Sequence, residues 1–155
     1  MSMQWADLML QKGLTLACAE SCTGGGLSAQ ITDVAGISAV FQGGCVTYSN
    51  QAKADLLGVP MSMIQTHGAV SSEVAQAMAQ GARTRLQADY ALATTGIAGP
   101  GGGTVEKPVG LVWMALASPE GVQSRCQVFP GDRSEIRAQA CDAMLDWLSR
   151  ELVSV

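Results

Sequence analysis

Short apolar segments alternate with segments of helical periodicity along this chain, and that alternation limits the fold more than any other feature. Apolar runs at 14–19, 42–49 and 90–95 are flanked by segments whose apolar residues recur at helical spacing. Strands that alternate with helices form a mainly parallel sheet covered by helices. Two further apolar runs, 109–117 and 122–129, are separated by a Ser-Pro-Glu-Gly turn and predict a β-hairpin. The sequence therefore predicts an α/β fold with a mainly parallel sheet and one antiparallel hairpin strand.

The helices expected between these strands are bounded by residues that commonly start or end helices. Gly13 follows the first helical pattern as a C-cap, and Asn50 can cap a helix that ends near Gly58. Either Ser71 or Ser72 can cap a longer helix. The expected helices cover 3–12, 22–33, 50–58, part of 60–67, a stretch from the serine cap to Leu86, and 133–152.

The composition is that of a globular protein and argues against several classes of function. The 155 residues are enough for one domain with its own core, so a single domain over 1–155 is expected. Hydrophobic residues make up 48% and charged residues 14%, which indicates that a partner subunit covers part of the surface. The net charge is −4 and no basic stripe is present, which argues against nucleic-acid binding.

Compartment and metal content are inferred from the apolar runs and the cysteines. No apolar run reaches the length of a membrane span, and residues 1–7 do not resemble a signal peptide. Five cysteines cannot form a complete disulfide framework, and Cys18 and Cys22 lack a second pair that would complete a zinc site. We therefore expect a cytoplasmic protein without membrane contact, metal or cofactor.

Ser21 lies where the first strand gives way to a helix, directly before a run of glycines. Taken alone, a serine at that position is more often a helix N-cap than a nucleophile. The surrounding residues do not form the G-x-S-x-G elbow of hydrolases. However, Gly24, Gly25 and Gly26 weaken a helix unless another group must approach the backbone closely. Free N–H groups at that helix start are expected to hold an oxyanion or a carboxamide oxygen.

Lys53 and Tyr48 follow the second strand and supply a candidate base. Lys53 falls in the first turn of the helix that starts at Asn50, where the helix dipole disfavours a cation. Partial burial would lower the pKa of this lysine further, which suits a base near neutral pH. Tyr48 can bridge Ser21 and Lys53 by hydrogen bonds, or it can be an ordinary strand aromatic.

Two other residues are weaker candidates for the chemistry. His67 is the only histidine, and it precedes a helix instead of following a strand, which favours a structural or rim position over a catalytic triad. Cys22 lies at a helix start, where a thiol can become reactive, but no histidine lies near it in sequence. We rank Cys22 below Ser21 as a nucleophile.

The glycine-rich loop 96–108 is a candidate anion-binding segment. Such loops can bind phosphates through backbone N–H groups, although this one matches neither a P-loop nor a dinucleotide fingerprint. An ordinary flexible loop is the alternative. Lys107, Arg133 and Arg137 can add positive charge, and Arg133 starts the last helix, where phosphate sites also form.

Several segments together resemble the carboxy-terminal domain of the CinA family, over nearly the whole chain and in order. The segments that carry the resemblance are Ala19–Gly25, Tyr48–Asn50 with Lys53, Gly68–Ser71, Thr95–Gly102 and Lys107–Gly110. In that family this domain is the nicotinamide-nucleotide amidase. The resemblance implies hydrolysis of nicotinamide mononucleotide to nicotinic acid mononucleotide and ammonia, in pyridine nucleotide salvage. It also implies a three-layer α/β/α sandwich, a homodimer or higher homo-oligomer, and a stand-alone amidase without the amino-terminal domain of longer members.

The resemblance also assigns roles to residues of this sequence. Ser21 matches the nucleophile, Lys53 the base and Tyr48 an assisting hydroxyl, while Arg133 or Arg137 matches an arginine that contacts the phosphate. A nucleotide-binding regulatory module without chemistry is the alternative, in which Ser21 would only cap a helix. The residues expected to bind the substrate are Cys22, Thr23, Gly24, Gly25, Thr95, Gly96, Gly99, Gly101, Gly102, Arg133 and Arg137.

Overall fold

A five-stranded sheet with helices on both faces forms the core of the computed structural model, which describes residues 3–155. The helices are α1 (Gln4–Lys12), α2 (Gly26–Thr32), α3 (Asn50–Leu57), α4 (Met61–His67), α5 (Ser72–Arg85) and α6 (Arg133–Val153), with a short 3-10 helix at Ile37–Ala39. The strands are β1 (Leu16–Glu20), β2 (Phe41–Val46), β3 (Tyr90–Gly96), β4 (Leu111–Ser118) and β5 (Gly121–Val128).

The strand order is β2-β1-β3-β4-β5, and only β4 runs against the others. Strand β1 pairs in parallel with β2 and β3, whereas β4 is antiparallel to both β3 and β5. The predicted mainly parallel sheet with one antiparallel strand is therefore confirmed. The register places Glu20 opposite both Val46 and Thr94, so β1, β2 and β3 end at the same edge. Ligand sites of open α/β sheets lie at such carboxyl edges.

The two faces of the sheet carry side chains of different size, and this difference sets the layers. Along β1, Leu16 and Cys18 contact the apolar cluster that includes α1, α2 and α6, whereas Ala17 and Ala19 face the cluster that includes α5. Small side chains on that second face let α5 lie close to the sheet. The three-layer α/β/α arrangement is confirmed. The alanine face consists of Ala17, Ala19, Ala91, Ala93, Ala115 and Ala117.

Helix α3 is held against α5 by a close backbone contact at Gly81. A Cβ built at Gly81 would collide with the carbonyl oxygen of Leu57, at the end of α3. Only glycine allows this approach without displacing one helix. Because α3 carries Lys53 in its first turn, the contact helps to place the candidate base.

The second helix begins later than the sequence predicts. It starts at Gly26, not at Cys22, because Gly24 and Gly25 adopt φ values of +58° and +101° that interrupt a right-handed helix. The intervening turn is closed by the bonds Gly24 N to Ser21 O (3.1 Å) and Gly26 N to Thr23 O (2.9 Å). Ser21 is therefore in a turn between β1 and α2, and it is not a helix cap.

The second strand also ends earlier than predicted, at Val46 instead of Ser49. After Val46 the chain leaves the sheet, and Ser49 becomes the N-cap of α3 in place of Asn50, accepting a 3.0 Å bond from Ala52 N. The other helix starts and the hairpin follow the sequence pattern closely, with Ser71 confirmed as the cap of α5.

Candidate active site

Ser21 and Lys53 meet at the carboxyl edge of the sheet. Lys53 Nζ lies 3.0 Å from Ser21 Oγ. Ser21 directly follows β1, and Lys53 comes from the first turn of α3, which follows β2. Both residues are buried, with exposed fractions of 8% and 1%. The structure thus brings together the serine and the lysine that the sequence singled out.

The environment of Lys53 favours a neutral amine. Its Nζ donates to the carbonyl oxygens of Thr47 (2.9 Å) and Tyr48 (3.2 Å), and no ion pair involving it is present in residues 3–155. Burial lowers the pKa of Lys53 below its ordinary value of 10.5, against a smaller opposing effect from Cys22. A neutral amine has two N–H bonds for the two carbonyls and one lone pair, which can accept the Ser21 proton.

Peptide N–H groups in the Ser21 turn are mostly engaged within the protein. Gly25 N donates to the Glu20 carboxylate (3.2 Å), and Gly24 N to Ser21 O. Within residues 3–155, the N–H groups of Cys22 and Thr23 form no hydrogen bond to another residue. The expected oxyanion donors therefore reduce to Cys22, which lines the Ser21 pocket. The N–H groups at the start of α2 are occupied, and Thr23 is fully buried and lines the neighbouring pocket instead.

The Cys22 thiol is in an environment that disfavours its thiolate. Burial raises the pKa of this thiol to about 11, against smaller lowering effects from a hydrogen bond with its own backbone N–H and from the Arg137 charge. The thiol is thus protonated near neutral pH, and the thiolate is the form that acts as a nucleophile. Ser21 remains the better candidate.

A pocket of about 200 Å³ opens beside Ser21 and Lys53. Four residues that the sequence did not identify as site residues also line it: Asn50 at the start of α3, Ala69 and Val70 before α5, and Ala98 after β3. All four lie in segments that carry the CinA resemblance, which is the signal that could have found them. The residues that were predicted for the site and line the pocket are Ser21, Cys22, Tyr48, Lys53, Thr95, Gly96 and Arg133.

Arg133 links Tyr48 to the glycine-rich loop at the border of this pocket. Its Nη1 donates to Gly99 O at 2.7 Å, and its Nη2 donates to the Tyr48 hydroxyl at 3.0 Å. The Tyr48 side chain is largely exposed. The Tyr48 hydroxyl therefore contacts Arg133 and does not bridge Ser21 and Lys53, which bond directly. Tyr48 contributes to the base through its carbonyl instead.

Arg137 has a different position from Arg133, although the two are one helical turn apart. Its Nε donates to Cys22 O and its Nη2 to Thr23 O, each at 3.0 Å. With Thr23 it lines a neighbouring pocket of about 240 Å³ and is absent from the lining of the Ser21 pocket. Arg137 thus stabilises the Ser21 turn by donating to the backbone carbonyl groups of that turn.

The rest of the glycine-rich loop lies farther from Ser21. Gly101 and Gly102 are exposed and do not line the pocket. Lys107 Nζ donates to His67 O at 2.8 Å, so this cation fastens the loop to the end of α4. His67 is partly exposed, lies 3.7 Å from Glu73 and is also outside the pocket lining. These positions agree with a rim role for His67.

The Ser21 pocket is the candidate active site because it holds a serine–lysine pair, although it is not the largest pocket. A larger pocket of about 380 Å³ is lined by Arg83, Ser118 and neighbours. It lies at the opposite edge of the sheet, since Ala117 pairs with Ala91 at the start of β3, and its lining contains no serine–lysine pair. Within residues 3–155 there is no cluster of three or more potential metal ligands. No helix in that range is long and apolar enough to cross a membrane.

Known proteins resemble this chain in sequence and in structure. The family described as CinA C-terminal domain matches residues 1–152. A CinA-like protein of Geotalea daltonii is 55% identical over 149 residues, which cover 96% of this chain and 36% of that protein. A putative competence-damage inducible protein of Clostridium acetobutylicum is 47% identical over 148 residues, with 96% and 36% covered. The chain therefore spans about a third of the length of these curated relatives.

Solved structures match over nearly their whole length. A CinA superfamily protein from Klebsiella pneumoniae superposes with a TM-score of 0.94 at 35% identity, covering 98% of this chain and 95% of that one. The competence/damage inducible protein CihA from Agrobacterium tumefaciens gives 0.88 at 42% identity, covering 96% and 97%. These names state no reaction.

Proposed function

The chain belongs to the CinA C-terminal domain family, and we propose that it hydrolyses the carboxamide of nicotinamide mononucleotide to nicotinic acid mononucleotide and ammonia. The observation that carries this proposal is the 3.0 Å contact between Lys53 Nζ and Ser21 Oγ in a buried site. Neither ion pair found in residues 3–155 involves Lys53. A serine beside a neutral amine pairs a nucleophile with a base, an arrangement that can carry out acyl transfer. The identity of the substrate comes from the family resemblance.

The first half of the reaction transfers the acyl group to Ser21. Neutral Lys53 accepts the hydroxyl proton as Ser21 Oγ attacks the carboxamide carbon, giving a tetrahedral oxyanion. The N–H of Cys22, next to the nucleophile and in the lining of the pocket, is available to stabilise this charge. The lysine then returns its proton to the nitrogen, and ammonia leaves as the carbon–nitrogen bond breaks.

The second half restores the free serine. Lys53, neutral again, takes a proton from a water molecule that attacks the ester carbon. The carbon–oxygen bond to Ser21 breaks, and Ser21 Oγ recovers the proton from the lysine. The Thr47 and Tyr48 carbonyls keep the amine directed at Ser21 through both halves.

The pocket offers suitable contacts for both ends of the nucleotide. Ala69, Val70 and Ala98 provide small apolar surfaces beside Ser21, which suit a flat pyridine ring. Arg133 provides a guanidinium at the border, and that group suits a phosphate. We favour Arg133 over Arg137 as the phosphate ligand, because Arg137 is bonded to the Ser21 turn.

The experiment that tests the proposal is an ammonia assay with nicotinamide mononucleotide, nicotinamide riboside and nicotinamide, in wild type and in Ser21→Ala. Serine-dependent release with a preference for the mononucleotide is the expected result. Binding of the nucleotide without ammonia release would instead indicate the regulatory module.

A further inference from the structure

Glu20 immediately precedes the nucleophile, and the reaction described above gives it no role. Its side chain is fully buried, and no ion pair to it is present in residues 3–155. The carboxylate accepts five hydrogen bonds: Thr23 Oγ1 at 2.6 Å, Gly25 N at 3.2 Å, Leu27 N at 2.8 Å, Ser28 N at 2.9 Å and Ser28 Oγ at 2.6 Å. A buried carboxylate is tolerated only when hydrogen bonds replace water so completely.

These bonds close a loop around Ser21. The N-cap of α2 is Gly25, which has no side chain, so the cap comes from Glu20 at the end of β1. Both ends of the turn, Glu20 and Gly25, are thereby joined to each other. Ser21 and the open N–H of Cys22 lie inside this loop.

The loop is joined to the next strand by a buried pair of hydroxyls. Thr23 Oγ1 and Thr94 Oγ1 are 2.7 Å apart, and Ser21 N donates to Thr94 O at 3.0 Å. Because a carboxylate only accepts, Thr23 donates to Glu20 and Thr94 donates to Thr23. Glu20, Thr23 and Thr94 are all 0% exposed, so water does not compete with this chain of bonds.

Glu20 is also connected to the base. Its carbonyl accepts Thr47 N at 2.8 Å, and the Thr47 carbonyl accepts Lys53 Nζ at 2.9 Å. Glu20 therefore contacts the Ser21 turn through its side chain, and its backbone is linked to Lys53 through one intervening residue, Thr47.

We propose that Glu20 is a positioning residue: acting through Thr23, it holds the Ser21 turn so that Ser21 Oγ faces Lys53 and the Cys22 N–H stays open for the oxyanion. This inference rests on the proposed amidase function. Glu20 itself touches no reacting atom. The competing explanation is a plain helix cap that stabilises α2 and nothing more.

A matched pair of variants separates the two explanations. Thr23→Val and Ser28→Ala each remove one hydroxyl that bonds the Glu20 carboxylate at 2.6 Å. Thr23 lies in the Ser21 turn, whereas Ser28 lies in α2. A plain cap predicts similar losses of thermal stability and equally small effects on kcat in both variants.

Positioning predicts a different result. Thr23→Val should lower kcat about tenfold or more with little change in KM, since small displacements of reacting groups cost catalysis strongly. Ser28→Ala should keep kcat within about twofold of wild type at a comparable loss of melting temperature. Thr23→Ser, which restores the hydroxyl, should recover kcat. Equal kcat in Thr23→Val and Ser28→Ala would overturn the inference.

A second readout does not depend on the substrate. The rate at which a fluorophosphonate labels Ser21 should fall in Thr23→Val and stay near the wild-type rate in Ser28→Ala. If wild type is labelled but releases no ammonia from nicotinamide mononucleotide, the proposed function fails while the labelling rates still test Glu20. Absence of labelling in wild type would mean that no reactive serine is being positioned, and it would overturn the inference.

Glu20→Gln tests the same residue directly. This substitution keeps the side-chain size but replaces one accepting oxygen with an NH₂ group. The NH₂ group cannot accept the hydrogen bonds that this oxygen receives from the surrounding N–H and O–H groups. We expect kcat to fall more than in Thr23→Val, by about a hundredfold. If Glu20→Gln does not fold, the comparison of Thr23→Val with Ser28→Ala decides the question.

Discussion

Lys53 Nζ lies 3.0 Å from Ser21 Oγ, although 32 positions separate the two residues in sequence. The contact exists because β1 and β2 are adjacent and parallel, so the segments that follow them leave the same edge of the sheet. The amine is buried, two carbonyl oxygens accept its remaining N–H bonds, and its pKa is lowered by burial. When this amine is neutral, its lone pair is available for the serine proton.

The base role of Lys53 predicts a specific dependence of activity on pH. Activity requires the neutral amine, so kcat should rise with pH through the lowered pKa of Lys53 and then level off below its ordinary value of 10.5. Lys53→Ala should lower kcat about 10²–10⁴-fold, the usual contribution of a general base. Lys53→Arg should not restore it, because arginine keeps its proton. Steady-state kinetics across the pH range check both points.

The outcome that would contradict the base role is a Lys53→Arg variant with wild-type kcat. A wild-type profile that is flat through neutral pH, with the rise only near 10.5, would show that burial does not lower the pKa of Lys53 in the folded protein.

The same lysine makes a prediction for stability. Between the lowered folded pKa and the unfolded value, the unfolded chain binds a proton at Lys53 that the folded chain does not, so stability increases with pH in that window. Below the folded pKa both states are protonated, and the penalty of burying the charge is fully present. Chemical denaturation at several pH values should give a steeper rise for wild type than for Lys53→Met. Parallel curves would contradict the assignment.

The sequence pattern predicted the layers and the sheet well, because apolar periodicity directly reports which faces are buried. Alternating strands and helices led to the mainly parallel sheet, and the Ser-Pro-Glu-Gly turn led to the hairpin. The start of α2 could not be predicted, because it depends on the Glu20 carboxylate and on the positive φ of Gly24 and Gly25. Helix propensity contains no information about a cap delivered from a preceding strand.

The roles of side chains within the site were harder to predict than their presence. Ser21 and Lys53 were identified from their positions after strands, and this placement is a property of the topology. Arg133 and Arg137 look equivalent in sequence, since they are one turn apart on α6. Their roles differ because the carbonyl groups of the Ser21 turn lie within reach of Arg137, which donates to Cys22 O and Thr23 O. The position of that turn could not be read from the sequence.

Arg133 and Arg137 should give different kinetic defects. Arg133→Ala should raise KM for nicotinamide mononucleotide about tenfold or more and leave KM for nicotinamide riboside nearly unchanged, because charge-assisted bonds to a phosphate are lost. Arg137→Ala should instead lower kcat for both substrates, because the Ser21 turn loses two bonds. Michaelis–Menten kinetics with both substrates check this. A mononucleotide-specific KM effect in Arg137→Ala alone would move the phosphate to the other pocket.

Replacing Gly81 by alanine, which adds a single methyl group, should destabilise the fold. A Cβ at this position collides with the Leu57 carbonyl oxygen, so Gly81→Ala should lower the free energy of unfolding by about 1–3 kcal/mol despite its better helix propensity. Gly101→Ala is the control, because nothing lies within 4 Å of a Cβ there. Urea denaturation measures both variants. An unchanged or increased stability of Gly81→Ala would mean that α3 and α5 are not packed this closely.

The most direct test of the central claim is ammonia release from nicotinamide mononucleotide by wild type, Ser21→Ala and Cys22→Ala, measured at equal concentration with folding checked by circular dichroism. Ser21→Ala should lose roughly a thousandfold or more in kcat, because the covalent route is removed, while still binding the nucleotide. Cys22→Ala keeps its peptide N–H and should still hydrolyse the substrate. Near-normal turnover by folded Ser21→Ala, or loss of turnover in Cys22→Ala alone, would contradict serine–lysine catalysis in this protein.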